Sequence, residues 1–116
     1  MKTAKLFLNT PVKRNIYIAG RRTSLQLETY VWDCLDSILD HENLSLSMLC
    51  TELKIRSGSL RLAQALRLFV LIYFRTMSKA MSPYEEPADL VRSPPAAKFN
   101  CLIETLQILS QHAPRA

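Results

Sequence analysis

The segment Arg22-Thr23-Ser24-Leu25-Gln26-Leu27 constrains this chain more than any other. Thr23, Leu25 and Leu27 alternate with Arg22, Ser24 and Gln26, the period-2 pattern of a strand with one apolar and one polar face. Everything downstream reads as helix or loop. A lone strand leaves its backbone N–H and C=O groups without partners, which is costly wherever they are buried. It must pair with an upstream segment of its own chain or with the same strand of a second copy. The second arrangement puts three polar side chains per chain on a two-stranded ribbon, a shape that fits the DNA major groove.

Upstream, Asn15 to Ala19 is a second short strand candidate, separated by Gly20 and Arg21. Pairing of 15–18 with 23–27 across Ala19-Gly20-Arg21-Arg22 would make an ordinary hairpin with a connection of common length. The self-paired strand is the expectation and this hairpin is its rival. Residues 1–14 lack periodicity and contain Pro11, so they are expected to form a basic flexible arm.

Charge falls in blocks along the 116 residues. Residues 1–27 carry Lys2, Lys5, Lys13, Arg14, Arg21 and Arg22 and no acid; residues 28–52 carry Glu28, Asp33, Asp36, Asp40, Glu42 and Glu52 and no Lys or Arg. Lys54, Arg56, Arg61, Arg67, Arg75 and Lys79 follow, and the net charge is +5. Such a molecule can turn a basic surface to phosphates while its acidic face points away. The apolar run Leu68 to Phe74 is too short to span a bilayer, and Leu6-Phe7-Leu8 is too short for a signal peptide. A soluble, cytoplasmic protein is therefore expected. Cys34, Cys50 and Cys101 have neither zinc nor disulfide-framework spacing. No nucleophile–base pair, phosphate loop or metal cluster is visible, so neither an enzyme nor a cofactor is expected. Asp33, Asp36 and Asp40 share a helical face and read as a solvated surface rather than a metal site.

A first helix is expected over about 29–41, with Val31, Trp32, Leu35, Ile38 and Leu39 on one face. Ser45 suits the N-cap of a second helix, whose Leu46, Leu49, Cys50 and Leu53 form an i, i+3, i+4, i+7 stripe. Ser57-Gly58-Ser59 separates it from a third helix over about 60–75, apolar on most faces and therefore suggestive of oligomerisation. Pro83, Pro87, Pro94 and Pro95 mark a linker over 77–97, and 98–111 reads as a last amphipathic helix with Phe99, Leu102, Ile103, Leu106 and Leu109 on one face.

The order strand, acidic helix with Trp32, tight turn, serine-capped helix resembles the ribbon-helix-helix (MetJ/Arc-type) family of bacterial DNA-binding proteins. Gly20-Arg21-Arg22-Thr23-Ser24, Leu44-Ser45-Leu46-Ser47 and Ala65-Leu66-Arg67-Leu68-Phe69 carry the closer likeness to a subfamily with an added third helix. The resemblance implies a mainly α fold with one short strand, an obligate dimer with an intermolecular antiparallel ribbon, and a C-terminal extension. It implies that Arg22, Ser24 and Gln26 contact bases, which suits their chemistry. It also implies a phosphate on Ser45, Leu46 and Ser47 at the start of the second helix. Lys13, Arg14 and Arg21 are the further phosphate candidates. The dimer core is expected to hold Leu25, Leu27, Trp32, Leu35, Leu49, Leu66, Phe69 and Val70. The functional expectation is a homodimeric transcriptional regulator, most simply a repressor, with double-stranded DNA and itself as partners. The alternatives are an antitoxin whose 98–111 segment binds a protein, and an assembly module without DNA binding.

Overall fold

Ala19 and Gly20 both take the left-handed backbone, at φ 52° and 79°. Two consecutive residues with positive φ are what a type I′ turn requires, and that turn matches the natural twist of two antiparallel strands. The structure, a computed structural model describing residues 8–80 and 100–114, builds its hairpin on this turn. Strand β1 (Pro11–Ile18) runs antiparallel to β2 (Arg21–Glu28), with Ile18 opposite Arg21 and Val12 opposite Leu27. Helices α1 (Thr29–Glu42), α2 (Leu46–Arg56), α3 (Leu62–Ala80) and α4 (Cys101–His112) follow.

The hairpin corrects the expectation of a single strand paired only between chains. The partner of β2 is β1, and the rival pairing is the one the chain adopts, with a tighter turn and a longer ladder than expected. It also corrects the basic arm. Residues 11–14 are ladder, and the carbonyls of Thr10 and Leu8 accept from the backbone N–H groups of Thr29 and Tyr30 at 2.8 and 2.9 Å. Those N–H groups open α1 and have no partner inside the helix, so the segment before β1 caps it. Lys2 and Lys5 lie outside the described residues.

Alternation sets the two hairpin faces. Val12, Ile16 and Ile18 of β1, with Thr23, Leu25 and Leu27 of β2, turn inward over the helices. Below them lie Trp32, Leu35 and Ile38 of α1, Leu49, Cys50 and Leu53 of α2, and Ala65, Leu66, Phe69 and Tyr73 of α3. Truncating one of these large buried side chains to Ala costs about 2–5 kcal/mol. Of the residues expected in a dimer core, Leu25, Leu27, Trp32, Leu35, Leu49, Leu66 and Phe69 are buried within the single chain, and Val70 is half-buried. The hairpin closing over the helices covers most of them within one chain. α4 packs Cys101, Thr105, Leu106 and Leu109 into the same core, covering a face of α3 that sequence left without a partner.

Polar contacts lock the helices at their ends. Asn43, at φ 55°, closes α1 with the paired bonds Asn43 N–H to Asp40 O and Leu44 N–H to Leu39 O, a Schellman motif. Tyr73 donates its hydroxyl to Glu42 at 2.6 Å, and burial and that carboxylate push the phenol above its ordinary range. Arg67 of α3 clasps Glu28 at the end of β2 with two bonds of 2.9 and 3.1 Å, which lowers the Glu28 carboxyl. Cys50 is fully buried and its thiol is pushed up to about 12, so it packs as a small apolar residue.

Three boundaries move. α3 extends to Ala80, so residues 77–80 of the expected linker are helix, while 81–97 lie outside the described residues. α4 begins at Cys101, capped by Asn100, whose side chain accepts from Ile103 N–H at 3.0 Å. Its buried face is rotated from the expected one: Cys101 and Thr105 turn inward, Ile103 is exposed, and Phe99 lies outside the described residues.

Past α4, the Pro114 carbonyl accepts from Ser59 N–H at 3.1 Å at the α2–α3 corner. Gly58 there has φ 62°, and a Cβ on it would collide with that carbonyl oxygen. Gly58→Ala is therefore expected to cost more than the about 1–2 kcal/mol of left-handed strain alone, read as a lower denaturation midpoint. Ala19 already carries such strain at φ 52°. Ala19→Asn, which completes the favoured Asn-Gly turn, is expected to stabilise the protein by roughly 0.5–1 kcal/mol in a urea titration.

Candidate nucleic-acid interface

The antiparallel register decides what the hairpin shows to solvent. Side chains of Lys13, Asn15 and Tyr17 stand directly opposite Gln26, Ser24 and Arg22 on the outer face, and all six residues are exposed. Ile18 and Arg21 flank a two-residue turn and so form a hydrogen-bonded pair. The same parity continues to the Thr29–Thr10 bond beyond the ladder. The outer pairs are consequently the non-hydrogen-bonded ones, in which facing side chains approach closest. The face is a compact block of two cations, two carboxamides, a hydroxyl and a phenol, without a carboxylate until Glu28 at its end, which Arg67 neutralises.

Parity also fixes the strand edges. Arg21, Thr23, Leu25 and Leu27 direct their backbone groups to β1, so Arg22, Ser24 and Gln26 direct theirs to the opposite edge. Among the described residues no strand lies along that edge. The far edge of β1 is blunted by Pro11, which has no N–H to offer there. Arg22, Ser24 and Gln26 thus leave an unbroken row of N–H and C=O groups along the edge of β2, while that of β1 carries such a row only from Lys13 to Tyr17.

Of the residues expected to contact DNA, Arg22, Ser24, Gln26 and Lys13 are brought together on this one face. Arg21 is exposed at the hairpin tip. Arg14 is not with them. It has the inward parity of Val12 and Ile16, its guanidinium lies 4.1 Å from the Trp32 ring centroid, and both its terminal nitrogens bond Asp36 at 3.0 Å. Asp36 is thus an ion-pair partner rather than a purely solvated acid. Trp32, 2% exposed, donates its indole N–H to the Val12 carbonyl at 2.8 Å and binds helix to hairpin.

At the start of α2, the Ser45 hydroxyl accepts from Met48 N–H at 3.1 Å. That leaves the Leu46 and Ser47 amides as first-turn donors beyond the reach of any intrahelical acceptor, at the positive end of the helix dipole. Asn15 and Tyr17 were not picked out by sequence. Their signal was the alternation of Val12, Ile16 and Ile18 with Lys13, Asn15 and Tyr17, which the inward-facing Arg14 interrupts. Among the described residues no group of three or more His, Cys, Asp or Glu is placed to hold a metal, and no helix is long and apolar enough to cross a membrane.

A family model described as a ribbon-helix-helix domain matches residues 11–74, from the first residue of β1 into α3. The fold is similar to that of an uncharacterized protein from Bordetella pertussis Tohama I, with TM-score 0.54, 20% identity, and coverage of 80% of this chain and 85% of that one. At that identity the likeness speaks for the fold alone. No curated protein matches the chain. Domains of the matched type are typically non-catalytic DNA-binding modules. With its hairpin, two helices and the start of a third inside the matched span, this chain belongs to the ribbon-helix-helix family.

Proposed function

We propose that the protein is a homodimeric, sequence-specific DNA-binding regulator, acting most simply as a repressor that occupies its operator. The observation that carries this is the exposed polar outer face of the hairpin together with the open edge of β2. Two copies joined antiparallel along that edge place Arg22, Ser24 and Gln26 of each on the central two strands. Arg suits guanine O6 and N7, Gln suits adenine N6 and N7, and Ser tolerates either base. The amides of Leu46 and Ser47 beside Ser45, with Lys13 and Arg21, supply phosphate contacts that set the register. Arg14 drops out of that set because Asp36 and Trp32 hold it on the other face.

An apolar surface supports the same dimer. Tyr30, Leu71 and Phe74 are 55%, 64% and 43% exposed, and with Val31, Cys34 and Val70 they line a shallow groove between α1 and α3. Arg67, which clasps the last residue of β2, also borders it. One partner copy would cover the groove and the edge together. The antitoxin alternative has less support, since the apolar face of α4 already packs against its own chain.

DNA affinity is expected to fall steeply with rising salt, and Arg22→Ala and Gln26→Ala are each expected to cost about 1–3 kcal/mol at an operator half-site. Wild-type affinity in both variants, or binding indifferent to salt, would refute the DNA function. Ser24→Pro removes an N–H on the open edge without touching the β1 ladder. Sedimentation is expected to show a monomer with unchanged helix content by circular dichroism; a dimer as tight as wild type would place the interface elsewhere.

A further inference from the structure

We infer that β1 is a phosphate clamp, with Lys13, Asn15 and Tyr17 gripping the walls of the groove whose floor β2 reads. The inference rests on the DNA-binding dimer proposed above and assigns roles to two residues, Asn15 and Tyr17, that neither the sequence nor the family match singles out.

Width separates the roles of the two strands. Hydrogen-bonded strands lie about 4.8 Å apart. Joining two hairpins along β2 gives the order β1-β2-β2-β1, so each β2 sits about 2.4 Å from the twofold axis and each β1 about 7 Å from it. The major groove is about 12 Å wide, so its walls stand about 6 Å from its midline. The four-stranded sheet is therefore too wide to enter whole. Its central pair can face base edges, while the outer strands come level with the sugar–phosphate backbones on either side.

The side chains at those outer positions have the chemistry that location needs. Lys13 offers an ammonium, Asn15 an amide N–H and Tyr17 a phenol O–H, and all three residues are exposed on the face they share with Arg22, Ser24 and Gln26. Lys, Asn and Tyr are all established donors to phosphate oxygens. None of the three has an acidic residue opposite it; their partners across the ladder are Gln26, Ser24 and Arg22. Tyr17, 64% exposed on a sheet face, has no core to fill, and a donor pointed at a phosphate accounts for its position.

The roles separate in a selection of bound sequences from random DNA, run on the full chain with salt titrations at the recovered site. Lys13→Ala is expected to reduce the salt slope by about one, and Asn15→Ala and Tyr17→Phe to weaken binding about tenfold. All three are expected to recover the same base preferences as wild type. Arg22→Ala, as the contrast, is expected to lose preference at a defined position. If wild type binds a defined site but the Asn15 and Tyr17 variants bind it equally well, or change which bases are selected, the clamp is wrong and the base-reading dimer stands. Absence of salt-dependent DNA binding by wild type overturns both.

Discussion

Each backbone hydrogen bond between β1 and β2 commits the residues on either side of it. Once Ile18 pairs with Arg21 across the Ala19-Gly20 turn, every position in both strands is assigned to a face and an edge. Leucines and isoleucines go down onto the helices, carboxamides and cations go up to solvent, and the amides of Arg22, Ser24 and Gln26 are left along one side. A slip of one residue would reverse all of this, burying Arg22 and Gln26 and exposing Leu25 and Leu27. The inner face resists that slip because Leu27, Trp32 and Phe69 are packed nearly free of solvent.

The helices then serve as a platform for the hairpin and keep its orientation fixed. Trp32 ties α1 to the Val12 carbonyl, Arg67 ties α3 to the end of β2, and the carbonyls of Leu8 and Thr10 cap α1 from the other side. α4 completes the platform by taking the face of α3 that would otherwise be bare, and Pro114 fastens its end at Gly58. What stays exposed includes a polar sheet face, the edge of β2, and the Tyr30, Leu71 and Phe74 surface.

Much of this was legible from residues alone. The alternation of β2, the helical stripe around Trp32 and the Ser45 cap all announced themselves, since each depends on near neighbours in sequence. β1 did so only in part. Arg14 occupies an inward position and breaks the pattern, and only its stacking on Trp32 and pairing with Asp36 explain why a charge is tolerated there. Ala19 disguised the turn, being a poor match to the residues that favour positive φ. With the hairpin only the rival reading and β1 begun at Asn15 rather than Pro11, the roles of Asn15 and Tyr17 on the outer face were missed. The burial of Cys101 and Thr105 in place of Ile103 was equally hidden, because it follows from where α3 lies: the Cys101 thiol donates to the Tyr73 carbonyl at 3.2 Å.

The two-residue turn has a further meaning for how the chain reaches this state. A strand that waits for its twin cannot complete its ladder until two molecules meet, so its folding would be bimolecular and slow at low concentration. Here the ladder closes between neighbours in sequence, an event on the order of microseconds for a hairpin, and the contacts it seeds are local. A newly made copy can thus bury Leu25, Leu27 and Trp32 in isolation. Folding rate should be independent of protein concentration, and the number of copies in a cell should govern assembly alone.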